Sequence, residues 1–417
     1  MKYDLIVVGG GASGMMAAGR AAERGLKVLL LEKNERLGEK LRISGGGRCN
    51  ITNAEENTKL LLGKYGKAEK YLYSLFAQFG MKETFSFFET RNLPLKIEAG
   101  KRAFPVSEKA LDVVRVLEEY LKKGKVIIRY QSPVTKVSVH DTYIDAVFCG
   151  DTRFEAKEYL FATGSVSHPE TGSTGDGFRW LEKLGHTIAS PTPTIVPLAV
   201  KEKWVKTLMG VTLEDVKIHF FVEKQKQFSL AGNILCTHFG LSGPLILNAA
   251  HKVADLLHRG RVTAHIDTCP KIDLGSLEQI LIELFDKNKN KVLKNILKEF
   301  IPTGTEKGLS ILLAEKIDLN KKVHSITKEE RKKLVQLLKA LPVTVQGLMG
   351  FDRAVVADGG VELNEIDWKT MHSRKVSNLL VTGDLLHINR PSGGYSLQLC
   401  WSTGYVAGSH AGKRERH

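Results

Sequence analysis

Gly9, Gly11 and Gly14, within the run GGGASG, stand at the spacing GxGxxG. Each glycine serves a physical purpose, respectively a tight turn, close backbone approach to a pyrophosphate, and close packing of a helix on a sheet. Ala12 and Ser13 open the helix that follows, whose free amides and positive dipole end suit phosphate. Glu32 lies eighteen residues beyond Gly14. A carboxylate there accepts both hydroxyls of an adenosine ribose and repels a 2′-phosphate. A second glycine run, Ser44-Gly45-Gly46-Gly47-Arg48-Cys49, can set backbone N–H groups against a ring or phosphates without Cβ clashes. Within it Arg48 offers positive charge and Cys49 a thiol.

These residues need elements to hold them. YDLIVV (3–8) is an apolar run of strand length, MMAAGRAAER a small-residue helix stopped by Gly25, and KVLLLE a second buried strand ending at Glu32. This strand–turn–helix–strand unit opens a doubly wound parallel sheet. The fingerprint alone fits FAD or NAD. Two features favour FAD: Ala162-Thr163-Gly164 closes a strand after a β meander over 125–162, and Thr382-Gly383-Asp384 follows a late strand, where an Asp can bind a ribityl chain. No second GxGxxG occurs in mid-chain, so no separate Rossmann module for NAD(P)H is expected. Helices are expected over 67–90 and 108–123.

After PTPTIVP (191–197) the pattern becomes alternating, with Val216, Ile218, Phe220 and Val222 on one face and Lys217 and His219 on the other. A small β barrel or sandwich is expected, with a helix after SGP (242–244). Residues 275–341 read as helical and basic. Between Asp286 and Lys339 there are 14 Lys and Arg against 7 Asp and Glu. LLVTGD (379–384) and a helix from about Ser396 to Gly408 close the chain in the style of its opening, as if the middle were inserted.

With 417 residues, 42% hydrophobic and 26% charged, a largely disordered chain is excluded. No apolar run reaches membrane length and no signal peptide opens the chain, so a cytoplasmic protein is expected. Five widely spaced cysteines without a CxxC pair argue against a disulfide framework or a zinc site, and no metal is expected. The net charge of +15 points to a polyanion such as nucleic acid as partner.

KLRISGGGRCNITN (40–53), THFGLSGP (237–244) and SGGYSLQ (392–398) closely resemble the BaiN/YhiN family of bacterial flavoproteins, in order along essentially the whole chain. The resemblance implies an α/β fold: a two-dinucleotide-binding, Rossmann-like FAD domain with an inserted β barrel that itself carries a small helical insert. The expected parts are 1–194 and 361–417 for the FAD domain, 195–270 and 342–360 for the barrel, and 271–341 for the basic helical insert. Members of the family are linked to oxidation of aminoketones, to reductive steps on steroid acids and to dihydrouridine formation in 23S ribosomal RNA. The sequence departs from the family pattern in Ser165 (ATGS for ATGG), in Asp384 where Glu is frequent, and in Ser396 (GGYS for GGYN).

On this reading FAD is held non-covalently and NAD(P)H is the expected electron donor. The cofactor set extends from the two glycine runs and Glu32 to Lys33, Lys40, Asn50 and Val134. It is completed by Ala162, Thr163, Gly164, Gly383, Asp384, Gly393, Gly394 and Tyr395. Saturating an activated C=C bond needs a hydride at one carbon and a proton at the other. Cys49 is the first candidate for that proton; the alternative is a thiol that only packs against the ring. His238 and Tyr395 are the further catalytic candidates, each also readable as structural. The leading expectation is reduction of a uridine in 23S rRNA, with the basic helical insert gripping the RNA. A small-molecule flavin oxidase or ene-reductase (aminoketone or enoyl substrate) is the second, and a flavin-containing assembly factor without turnover the third.

Overall fold

The computed structural model describes residues 2–413. The chain forms two compact units, one running to Pro193 and resuming at Ala354, the other Thr194–Arg353. In the first, five parallel strands lie in the order Leu379–Val381, Ala156–Phe161, Tyr3–Val8, Val28–Leu31, Ile127–Arg129. The inner strands are apolar at nearly every position because helices cover both faces of such a sheet. Leu5, Ile6, Val7 and Leu29 are fully buried. The fold is α/β with a Rossmann-type layer.

The stretch 125–162 is divided differently from the expected meander. Its outer pieces, 127–129 and 156–161, join the parallel sheet, and only Lys136–His140, Tyr143–Cys149 and Thr152–Phe154 form an antiparallel meander. A parallel strand must enter from a crossover, and the meander is that crossover. The helical reading of 67–90 also needs correction. The chain breaks between Glu69–Gln78 and Met81–Glu89, where Phe79 is extended and Gly80 begins the next helix. Leu95–Glu98 and Arg102–Pro105, which the pattern did not reveal, form a small sheet with Thr52–Asn53.

The second unit is a closed antiparallel barrel of Leu198–Val200, Gly240–Ser242, Gln225–Cys236, Thr212–Val222, Val262–Asp267 and Leu341–Leu348. Val216, Ile218, Phe220 and Val222 point into its core, and the alternate Lys217, His219 and Phe221 point out. The helices between Leu274 and Lys339 are carried between the last two barrel strands and share one apolar core with the barrel. The chain re-enters the first unit at Ala354, earlier than residue 360, because Ala357–Val361 pairs with Ile188–Pro193 of the first unit. All five cysteines are free thiols. Among the described residues no helix is long and apolar enough to cross a membrane, and no cluster of His, Cys, Asp and Glu could hold a metal.

Candidate functional site

Gly9–Gly14 links the first strand to the helix Ala12–Glu23. A Cβ on Gly14 would lie 2.0 Å from the Gly9 carbonyl oxygen, so the turn's own packing demands glycine there. Gly11 differs. Its backbone is extended with φ −80°, and a Cβ on it would meet no protein atom within 4 Å. Nothing in the fold requires glycine at that position, whereas a ligand approaching the backbone does. The helix it opens has no side-chain cap and no acid in its first turn. Its first amides therefore have no side-chain acceptor, an arrangement suited to pyrophosphate.

Glu32 ends the neighbouring strand, almost fully buried. Its two carboxylate oxygens accept the amides of Gly10 (2.6 Å) and Asn34 (2.8 Å). Burial raises its pKa, with the Asn34 and Gly10 amides opposing. The carboxylate thus holds the glycine turn and retains lone pairs for a ribose. Ser132 donates its amide to the Glu32 carbonyl, fixing the loop that bears half-buried Val134 beside this end of the sheet. The Lys33 ammonium is engaged by Thr174 (2.7 Å) and Asp176 (3.0 Å).

The run 44–50 is a wound loop. Gly45, Gly46 and Gly47 have φ of 57°, 68° and 85°, left-handed values in which consecutive amides converge on one side. All three are exposed. Cys49 also takes a left-handed φ of 61°, yet it is fully buried and its thiol pKa is pushed up to about 12 by burial, with Ser44 opposing. A thiol so placed keeps its proton but meets no solvent, which favours the packing alternative over the acid. Arg48 bonds Glu98 and Glu108 (3.0 Å) and lies over the Phe104 ring, so its charge is taken up within the protein. Asn50, with its amide nitrogen facing the Thr52 and Ala103 carbonyls, accepts the Gly394 amide at 3.0 Å.

That last bond joins two motifs more than 300 residues apart. Asn53 Nδ2 donates to the Gly393 carbonyl at 3.1 Å, Thr52 to Gln398 at 2.5 Å, and Trp401 to the Ile51 carbonyl at 2.9 Å. Gly394 (φ 97°) sits so close that a Cβ would lie 2.2 Å from the Thr52 carbonyl carbon. Tyr395 begins the C-terminal helix, is buried edge-on against Tyr65, and its carbonyl accepts the Tyr65 hydroxyl at 2.9 Å.

Lys40, half-buried, donates to Ser167 at 3.0 Å. Burial lowers its pKa while Asp384 acts to raise it. Asp384 is paired with Arg390, a guanidinium with only 2% of its surface exposed that also bonds the Ile388 carbonyl and Ser396 (3.1 Å). This buried pair was not singled out by sequence, although HINRPSGGY places Arg390 next to a motif that was. Ala162 is buried beneath Gly14, and Thr163 Oγ1, beside it, is buried without a hydrogen-bond partner among the described residues. A Cβ on Gly164 would meet Ser173, and one on Gly383 would meet Ser13. One layer of the first unit thus holds both glycine loops, Glu32, Lys40 and Asp384. His238 belongs to the second unit, exposed at the hairpin tip Thr237–Gly240 and edge-on to Phe239 at 4.7 Å.

The chain matches the profile of a family described as HI0933-like protein Rossmann domain over residues 3–410. It is 29% identical to a 3-dehydro-bile acid delta(4,6)-reductase of Clostridium scindens, covering 98% of both chains. It is 27% identical to a ribosomal RNA dihydrouridine synthase of Escherichia coli, covering 97% of both. Among solved structures it shares its fold with a 3-ketosteroid-delta4-(5alpha)-dehydrogenase from Rhodococcus jostii, at a TM-score of 0.56 and 15% identity over 99% of this chain and 97% of that one.

Proposed function

The chain belongs to the HI0933-like family of FAD-dependent oxidoreductases, and from that premise we propose that it reduces a uridine of ribosomal RNA to dihydrouridine. The residues present fit FAD: Gly11 faces open space before a helix without a side-chain cap, which leaves room for a ligand against the backbone. When bound, FAD supplies two-electron hydride chemistry, and NAD(P)H is the proposed source of the electrons. The amides of Ala12 and Ser13 bind pyrophosphate, Glu32 takes the ribose, and the convergent amides of Gly45–Gly47 receive negative charge. Arg390 holds Asp384 in one orientation for the ribityl chain, and the buried Cys49 keeps the loop's left-handed turn packed.

One observation carries the RNA substrate. The two basic runs of the second unit, about 30 residues apart in sequence, lie side by side. Val292 bridges Lys322 in antiparallel fashion, Leu293 donates to the Lys321 carbonyl at 2.9 Å, and Val323 and His324 donate to the carbonyls of Lys291 and Lys289. Lys294 and Lys322 on these segments, and Lys298 in the turn that follows the first, are exposed and in no ion pair among the described residues. Pooling unpaired cations on one face suits a phosphate backbone. The target base must leave its stack, at about a few kcal/mol, which favours unassembled RNA over the mature ribosome. Deleting the gene and mapping dihydrouridine in 23S rRNA tests this; one site should disappear, and an unchanged map contradicts it.

The bile-acid relative, matched over the same length, supports a second reading as an ene-reductase of a small conjugated ketone. Both readings saturate an activated C=C bond. Reoxidation of anaerobically reduced protein by an enone steroid, with no effect of uridine-containing RNA, would favour the second.

A further inference from the structure

The solvent side of the barrel carries an aromatic strip. Across four strands, Ser229, His219, His265 and Pro342 stand opposite one another in one row, and Lys226, Phe221, Thr263 and Thr344 in the next. These side chains alternate with the inward Ile218, Phe220, Ala264 and Val343, so they face away from the core. Phe221 and His265 lie 4.7 Å apart between ring centroids at 48°, and His219 Nδ1 is 2.6 Å from Ser229 Oγ. Burial lowers the pKa of both imidazoles, with Lys226 and Lys217 adding to the effect at His219. Both rings are therefore neutral at pH 7 and present aromatic faces. Around them Lys217, Lys224 and Lys226 are exposed and in no ion pair among the described residues. Two carboxylates adjoin the strip: Asp267 is bound by Lys339 at 2.7 Å, and Glu223, exposed beyond Phe221, accepts the Arg261 amide at 3.0 Å. An outward phenylalanine and two neutral imidazoles ringed by unpaired lysines match neither a core nor a plain solvated face.

We propose that this strip is a stacking platform for unpaired nucleotides of an RNA strand, with Phe221 and His265 against base faces and Lys217 and Lys226 on the flanking phosphates. The chemistry is that of single-strand binding, where every base offers a π-face and the backbone offers charge. The proposal rests on the reading of RNA as substrate and adds how the second unit holds an unpaired stretch of that RNA.

The test uses the full-length chain, a fluorescent single-stranded oligouridylate, and inorganic polyphosphate as a polyanion without bases. Phe221→Ala and His265→Ala should each weaken oligouridylate binding roughly 5- to 100-fold. Polyphosphate binding and flavin content should not change, and Phe221→Trp should restore oligouridylate binding. Variants that bind oligouridylate as tightly as the parent, or that lose polyphosphate in equal measure, would overturn the platform. If Phe221→Ala binds normally while the parent chain still forms dihydrouridine in rRNA, the platform falls and the uridine reading stands. A parent chain that binds polyphosphate but neither binds nor modifies RNA removes both.

Discussion

On the proposed reading, the glycine turn at 9–14 and the paired basic segments at 289–294 and 319–324 would hold negative charge in opposite ways. In the turn, recognition is by backbone: amides, a helix dipole and the absence of a Cβ, all fixed by a carboxylate that bonds the Gly10 and Asn34 amides. In the basic segments the backbones are occupied with one another, so only the long side chains are left to meet a ligand. The first arrangement suits one ligand of fixed shape, the second a polymer whose phosphates vary in position. Substitutions should therefore act very differently in the two regions.

The largest effect belongs to Gly14→Ala. The added methyl meets the Gly9 carbonyl, so the turn must open, with a loss at the upper end of roughly 1–3 kcal/mol and loss of flavin; thermal unfolding and absorbance at the flavin band check this. Gly11→Ala should separate the two consequences. Its methyl meets no protein atom within 4 Å, so the stability of the flavin-free chain should change by no more than about 1 kcal/mol, while FAD affinity should fall at least about tenfold. If both glycines behave alike, the distinction between packing and ligand space is wrong.

Ionic groups sharpen the contrast next. In the first unit Glu365 bonds buried His186 (2.9 Å), Lys375 (2.7 Å) and the Thr187 amide (2.9 Å). Burial opposes ionisation, yet these partners hold its pKa at about 2 against an ordinary 4.5. The folded pKa is depressed, so its stabilisation is complete above pH 4.5 and is lost as pH falls toward 2, on the order of 2 kcal/mol. Glu365→Gln should flatten the acid-unfolding curve in that window and lower stability at pH 7. An unchanged acid transition would show that the cluster contributes nothing. The smallest effect on folding belongs to the basic surface. Lys294, Lys298 and Lys322 changed together to Gln should alter stability by less than about 0.5 kcal/mol. The same change should reduce the log–log salt slope of rRNA binding by roughly 0.7–0.9 per lost phosphate contact. An unaltered slope would make these lysines a solvated face.

The same contrast explains what was legible in the sequence. The 9–14 turn, Glu32 and the 28–31 strand are close in sequence, and their chemistry depends on backbone geometry that glycine spacing encodes. The barrel alternation at 216–222 was likewise local. The meeting of Asn50–Asn53 with Gly393–Gln398 was not legible, since each run is a loop alone and only tertiary packing brings them together. Arg48 is a second case: its pairing with Glu98, on a strand of weak pattern, and Glu108, in the loop beyond Arg102–Pro105, is also made by tertiary packing. The break at Phe79–Gly80 was missed because apolar residues at helical spacing continue through it.

The purified chain, incubated with FAD, NAD(P)H and unmodified 23S rRNA, either forms dihydrouridine or does not, which mass spectrometry of the RNA reads out. Dihydrouridine should accumulate at one position, with NAD(P)H consumed in equal amount and no product from protein stripped of FAD. RNA that remains unmodified, while the same preparation saturates the C=C bond of an enone steroid, would contradict the uridine reading.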